Sequence, residues 1–187
     1  FKAIKKVAQE QQLALHLDGA RLFNAIVHKK EAAIDYGNIF DSISMCLSKG
    51  LGAPVGSVLL GSAAFIKKAR RWRKVFGGGM RQAGYLAAAG IYAMDHHIDR
   101  LADDHKNAIQ LSDVLANKDF VISILPVETN IVIANIGGKY TATSLADTLK
   151  ERGILAIAMT PTQVRFVFHL DITENDLAKT IDIINTL

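Results

Sequence analysis

The chain has 187 residues, of which 50% are hydrophobic, and this is enough apolar material for a folded core. Its single cysteine, Cys46, excludes an intrachain disulfide framework and a cysteine-based zinc site, and its apolar flanks predict a buried strand thiol. No apolar run reaches the roughly 18 to 20 residues that a membrane span needs, and no basic-then-apolar leader opens the sequence. We therefore expect a cytoplasmic globular protein that does not bind membranes.

The sequence starts within a predicted helix. Its first residue is Phe1 rather than Met, and Ile4, Val7 and Ala8 follow at helical spacing within residues 1–12. We therefore expect an N-terminal segment of the protein to precede these residues.

Two apolar strands are each followed by a polar turn. Residues 13–17 are predicted as a strand that ends before Asp18, and residues 42–47 as a strand that ends before Ser48. A third strand is predicted over residues 55–60. Because the strands are apolar throughout and helical patterns separate them, we predict an α/β fold with a mainly parallel sheet that is buried on both faces.

The second half of the chain has a different pattern. Residues 82–117 are predicted as one long helix or as two adjoining ones. From Asp119 onward, short predicted strands alternate with helices, which indicates a smaller α/β domain, and Thr173 with Asp176 has the spacing of a helix capping box. The predicted domains are residues 1–90, a connecting helix at 91–118, and residues 119–187.

Lys49 is the first residue that indicates chemistry. It follows an apolar strand and stands beside Gly50 and Gly52, so we expect a tight turn that directs its side chain into a cleft. Desolvation there would lower the pKa of the amine, which could then form a Schiff base with the aldehyde of pyridoxal phosphate (PLP). The alternative is an ordinary solvated lysine at the end of a strand.

Asp18 is the second such residue, because it ends a different strand of the same predicted sheet. Ligands of open parallel sheets bind at the carboxyl ends of the strands. A carboxylate at that edge can pair with the ring nitrogen of PLP and keep it protonated. On spacing alone, the favoured role of Asp18 is the N-cap of a helix that begins near Ala20, and it is the presence of Lys49 at the same predicted edge that favours a cofactor role.

Three segments, in this order along the chain, form a recognisable set. They are Leu17-Asp18-Gly19-Ala20-Arg21, Leu47-Ser48-Lys49-Gly50-Leu51-Gly52-Ala53-Pro54-Val55-Gly56-Ser57 and Gly77-Gly78-Gly79-Met80-Arg81-Gln82. Together they resemble the threonine aldolase family of fold-type I PLP-dependent enzymes, within the beta-eliminating lyase/threonine aldolase group. The likeness is looser from residue 119 onward, where Val164-Arg165-Phe166 is similar to a late arginine strand of that family.

The resemblance implies a role for each matching residue. Lys49 would hold PLP, Asp18 would pair with its ring nitrogen, and Arg21 would contact its phenolic oxygen. Arg165 would clamp the substrate carboxylate through a bidentate fork. Lys74 and Arg81, which belong to a basic cluster, would reach the cofactor phosphate, either within the subunit or across a subunit interface.

The resemblance also implies a reaction, a fold and an assembly. The reaction is retro-aldol cleavage of a β-hydroxy-α-amino acid, through an external aldimine, so that L-threonine or L-allo-threonine gives glycine and acetaldehyde. The fold is the later part of a fold-type I PLP-transferase-like domain plus a small C-terminal α/β domain, and the assembly is a dimer or a tetramer. The base that takes the hydroxyl proton stays open, with His16 and His169 as candidates by residue type. Without the preceding segment we expect the isolated chain to be inactive.

Three rival interpretations remain. Another fold-type I PLP lyase would catalyse β-elimination instead. The basic run at residues 67–74, with Trp72 inside it, has the composition of a nucleic-acid patch, although 18 acidic residues and a net charge of +4 argue against nucleic acid as a partner. The histidines and aspartates over residues 95–105 suggest a metal site, but only His97 and His105 would share a helix face, and we expect no metal.

Overall fold

The computed structural model describes residues 1–187, which divide into two compact units. The first unit is residues 1–99 and the second is residues 100–187. The boundary between them lies inside the predicted connecting segment, 91–118. Each unit combines helices with a β-sheet, which confirms the α/β class.

The first unit contains three strands and five helices. In chain order these are α1 (Lys2–Glu10), β1 (His16–Gly19), α2 (Leu22–Lys29), α3 (Ala33–Ile39), β2 (Ser42–Cys46), β3 (Ser57–Gly61), α4 (Ala63–Val75) and α5 (Gly84–His96).

The sheet of the first unit has the strand order β1-β2-β3. β1 pairs with β2 in parallel, because α2 and α3 carry the chain back to the edge at which β1 began. β3 is antiparallel to β2, since residues 47–56 alone are too few for a crossover. Within these residues the sheet is therefore mixed, and the expected parallel pairing holds for β1 and β2.

The core of the first unit forms where α2 and α3 cover the sheet. Leu22 and Ile26 project from one face of α2 and pack with Tyr36, Phe40 and Ile43. This packing fixes the helices that connect the two parallel strands.

The predicted helical region at residues 82–117 contains two helices, α5 and α6 (Leu101–Leu115). α6 belongs to the second unit and carries acidic Asp103 and Asp104 in its first turn. Arg100 forms an ion pair with Asp104 at 2.6 Å, and this carboxylate is buried. An arginine partner is what allows a charge to be buried at that position.

The second unit continues with four strands and two further helices. In chain order these are β4 (Val121–Ile124), β5 (Ile131–Ile136), α7 (Ala142–Glu151), β6 (Ile157–Ala158), β7 (Gln163–Val167) and α8 (Glu174–Asn185).

The sheet of the second unit is antiparallel throughout, with the order β4-β5-β7-β6. Alternate residues of β5 are buried, so one face of the sheet packs into the core. The core joins that face to apolar side chains of α6, α7 and α8, including Leu111, Leu145 and Ile184. The predicted capping box at Thr173 and Asp176 is confirmed, and its hydroxyl and backbone hydrogen bonds lower the pKa of Asp176.

None of the helices combines the length and the apolar character that crossing a membrane requires.

The contact of Gly19 with β2 generates a stability prediction. A Cβ on Gly19 would lie 2.8 Å from the backbone oxygen of Ser44, which cannot rotate away. We expect Gly19→Ala to reduce the free energy of unfolding by about 1–3 kcal/mol, because β1 and β2 would have to separate.

Gly37→Ala is the matched control for this substitution. No atom lies within 4 Å of the added Cβ, and Gly37 is an exposed residue inside α3. Alanine there should be neutral or stabilising by up to about 1 kcal/mol. Urea unfolding of both variants measures the difference, and equal midpoints would contradict the close approach of β1 to β2.

Candidate active site

Asp18 and Lys49 lie at the same edge of the first sheet. Asp18 is near the carboxyl end of β1 and is paired in register with Ser44 of β2. Lys49 follows the carboxyl end of β2 after a few residues. The parallel pairing therefore directs the two residues that the sequence identifies as the centre of the site to the same edge of the sheet.

Lys49 belongs to the connection over residues 47–56, here called the Lys49 turn. Leu47 N–H donates to Gly56 O at 3.0 Å, and Ala53 N–H donates to Leu47 O at 3.0 Å. A third bond, from Gly52 N–H to Lys49 O at 2.9 Å, closes the tip. The turn therefore has a defined backbone although it contains no helix or strand.

The apolar and polar residues of the Lys49 turn separate to opposite sides. Leu47, Leu51 and Ala53 are buried, whereas Ser48 and Lys49 are exposed. The expectation that Lys49 points into a desolvating cleft is therefore wrong for these residues, because its apolar neighbours take the buried side. The amine takes part in no ion pair and is accessible to a ligand.

Asp18 is exposed and accepts a hydrogen bond from Ala20 N–H through Oδ1 at 3.1 Å. This bond joins the carboxyl end of β1 to the turn that follows it. α2 begins later, with Arg21 as its N-cap and no side-chain cap bond, so the N-cap interpretation of Asp18 is wrong. The Oδ2 atom of Asp18 is left available to a hydrogen-bond donor.

Arg21 stands on the same turn, between Asp18 and α2. It is partly exposed, and its Nε is buried. Asp18 lies near the carboxyl end of β1 and Arg21 follows it by three residues, so both belong to the same end of the strand.

Cys46 is a feature that the sequence did not identify as chemical. Its side chain is partly exposed rather than buried, and its sulfur lies 3.5 Å from the hydroxyl oxygen of Ser48. Burial raises the pKa of the thiol, but hydrogen bonds from Ser48 and Ser57 and the charge of Lys49 outweigh it, so the pKa is below its ordinary value of 9.0. The lysine thus acts electrostatically on a residue at the end of β2.

Lys74 and Arg81 lie away from regular strands, Lys74 in the last turn of α4 and Arg81 in the segment between α4 and α5. Both side chains are exposed. No hydrogen bond or ion pair joins either of them to Asp18 or Lys49. Their assignment to a phosphate stays a prediction.

Arg165 belongs to the second unit, in β7, where it is in register with Ile133 of β5 and Ile157 of β6. The residue is half-buried, and its Nε is buried without a hydrogen-bond partner. A buried donor without an acceptor costs free energy. A ligand carboxylate would remove that cost, which agrees with the predicted role of Arg165.

The two candidate histidines each have a local partner. His16 Nδ1 lies 2.8 Å from Ser42 Oγ across the β1–β2 pair. His169 Nδ1 lies 3.4 Å from Asp171 Oδ2. The His169 residue lines a cavity of about 540 Å³ within the second unit. These contacts do not favour either histidine as the base that takes the hydroxyl proton.

The three histidines considered for a metal site lie on two helices rather than one. His96 and His97 end α5, whereas His105 is buried inside α6. His97 Nδ1 instead bonds to the backbone oxygen of Leu51 at 2.6 Å.

The fold and this site define a class of protein: an α/β protein with an accessible lysine and a carboxylate at the carboxyl ends of adjacent parallel strands. The model of the beta-eliminating lyase family matches residues 1–138. The chain therefore belongs to the beta-eliminating lyase family, as its sequence segments indicate.

Similar proteins agree with this assignment. The low specificity L-threonine aldolase of Escherichia coli (strain K12) is 44% identical over 179 residues, which are 96% of this chain and 52% of that protein. The low-specificity L-threonine aldolase 1 of Arabidopsis thaliana is 41% identical over 181 residues, 95% of this chain and 51% of that protein. The chain spans about half the length of the curated relatives it matches.

A solved structure supports the fold. The threonine aldolase of Leishmania major superposes with a TM-score of 0.73 at 18% identity, over 98% of this chain and 54% of that one. This likeness confirms a fold-type I architecture.

The electrostatic coupling of Cys46 to Lys49 generates a prediction about thiol reactivity. In the cofactor-free protein, the alkylation rate of Cys46 should rise with pH around a midpoint below 9.0, because the thiolate is the reactive form. Lys49→Ala should move that midpoint upward, since it removes a positive charge that favours the thiolate.

Lys29→Ala is the control, because Lys29 ends α2 and is not among the groups that act on Cys46. Iodoacetamide labelling, read by mass spectrometry of the peptide that contains Cys46, gives both midpoints. An unchanged midpoint in Lys49→Ala would show that the amine does not act on the thiol.

Proposed function

We propose that this chain is part of a PLP-dependent aldolase that cleaves L-threonine and L-allo-threonine to glycine and acetaldehyde. The observation that carries the proposal is the position of Asp18 and Lys49 at the carboxyl ends of adjacent parallel strands. The similarity to low specificity L-threonine aldolases supports the choice of substrate.

The residues present suit PLP. An accessible amine at Lys49 is suited to an aldehyde, and the available oxygen of Asp18 is suited to a protonated ring nitrogen. When bound, PLP supplies an electron-accepting ring for the charge released as a bond to the amino acid's α-carbon breaks.

Lys49 and Asp18 have distinct tasks in this proposal. Lys49 would hold the cofactor through its accessible amine. Asp18 holds a proton on the ring nitrogen, and its bond from Ala20 fixes the direction of the carboxylate. The exposure of Lys49 means that the expected desolvation is not provided by these residues.

The three candidate arginines and Lys74 would bind anionic groups of the substrate and the cofactor. Arg165 binds the substrate carboxylate, which would satisfy its buried Nε. Arg21 would bind the phenolic oxygen of the cofactor, and Lys74 and Arg81 would bind its phosphate. Because the contacts of His16 and His169 serve local structure, we assign neither as the base.

We further propose that the protein is cytoplasmic and works as a homo-oligomer, either a dimer or a tetramer, without nucleic acid as a partner. The resemblance to the threonine aldolase family supports the oligomer. The exposed cations of α4, among them Lys67 and Arg70, would then belong to an anion-binding surface of the enzyme.

The test of the proposed function is product identification with the protein expressed from its complete gene and supplied with PLP. L-threonine should give glycine and acetaldehyde in equal amounts, and this yield should disappear in Lys49→Ala, because the amine that holds the cofactor is removed.

Serine and cysteine are the comparison substrates, because elimination from either would release pyruvate. Lys29→Ala should retain the cleavage of threonine. Pyruvate formation without glycine would overturn the aldolase proposal in favour of a β-eliminating lyase.

A further inference from the structure

We propose that His97 is a positioning residue for the Lys49 turn. It holds the turn to α5 through a side-chain bond to the backbone of Leu51, and so fixes where the Lys49 amine stands. The inference deepens the proposed function and rests on it for the importance of Lys49.

The Lys49 turn needs an external attachment. Its own hydrogen bonds join Leu47 to Gly56 and to Ala53, and Gly52 to Lys49, so they define its shape and fix its base beside β2 and β3 but do not hold its tip against the rest of the unit. Leu51 is 2% exposed, which places the middle of the turn against the interior. The backbone carbonyl of this buried residue therefore needs a hydrogen-bond donor.

His97 supplies that donor. Its Nδ1 lies 2.6 Å from Leu51 O, and the two residues are 46 positions apart in the sequence. Because a carbonyl oxygen only accepts, the proton of the bond resides on Nδ1 of His97. This bond joins the C-terminal end of α5 to the residue that follows Gly50, close to Lys49 in the chain.

α5 contacts the beginning of the turn as well. A Cβ on Gly90 would lie 3.1 Å from Cδ1 of Leu47, so glycine allows the helix to lie close to this side chain. The helix therefore contacts the turn before Lys49 through Leu47 and after it through Leu51. These two contacts fix the path of the chain after β2, and with it the position of Lys49.

His96 provides an internal comparison. It is also at the end of α5 and its ring lies 4.3 Å from that of Tyr92, while the His97 ring lies 5.5 Å from the same tyrosine. His96 is exposed, and His97 alone of the two bonds to the turn. Both substitutions to alanine remove a contact with Tyr92, but only His97→Ala frees Leu51 O.

The experiment measures hydrogen exchange of the amides in residues 47–56, in the cofactor-free protein expressed from its complete gene. In His97→Ala we expect exchange roughly three- to tenfold faster than in the wild type, the change that losing one hydrogen bond produces. His96→Ala should exchange like the wild type. The Kd for PLP, from an absorbance titration, should rise by a similar factor in His97→Ala alone.

Two further variants separate positioning from general stability. His97→Asn places an amide nitrogen near the Nδ1 position and should restore slow exchange and tight PLP binding, whereas His97→Gln places it near Nε2 and should not. If His97→Ala does not fold, the difference between these two variants carries the test.

Exchange and Kd equal to the wild type in His97→Ala, or equal values in His97→Asn and His97→Gln, would overturn the inference. Slow exchange that depends on His97, in a wild-type protein that fails to cleave threonine, would instead support the positioning of the turn and count against the proposed function only.

Discussion

The parallel pairing of β1 with β2 is the interaction on which the site depends. It places Asp18 opposite Ser44 and directs both strands to the same edge, where the Lys49 turn begins. The absence of a side chain at Gly19 allows the two backbones to approach, because a Cβ there would meet Ser44 O at 2.8 Å. The helices that connect the strands bury Leu22 and Phe40 and so keep the pairing in place.

Two short segments at that edge, one after β1 and one after β2, position the carboxylate and the amine of the candidate site. The segment after β1 is closed by the bond from Ala20 to Asp18, which orients a carboxylate. The Lys49 turn buries its apolar residues and leaves the amine accessible. Hydrogen bonds from Ser48 and Ser57, with a smaller contribution from the charge of Lys49, outweigh burial and lower the pKa of the Cys46 thiol. The same turn makes β3 antiparallel, since it is too short for a crossover.

Local patterns in the sequence predicted the strands, the second α/β unit and the residues at the sheet edge, because apolar runs and glycine-rich turns are local signals. These local patterns gave wrong predictions where contacts between residues distant in the sequence, or packing of the turn, determine which side chains are buried or bonded. Lys49 is exposed because Leu51 and Ala53 take the buried side, and Asp18 bonds within its own turn instead of capping α2. The bond between His97 and Leu51 spans 46 positions, so no local pattern could have predicted it.

The central claim is that Lys49 is the residue that carries the cofactor, and borohydride reduction tests it most directly. The protein expressed from its complete gene would be supplied with PLP, reduced, digested and mapped by mass spectrometry. The account predicts a pyridoxyl group on Lys49, with loss of the visible absorption band on reduction. No absorption band and an unmodified Lys49, in a protein that is folded and saturated with PLP, would contradict it.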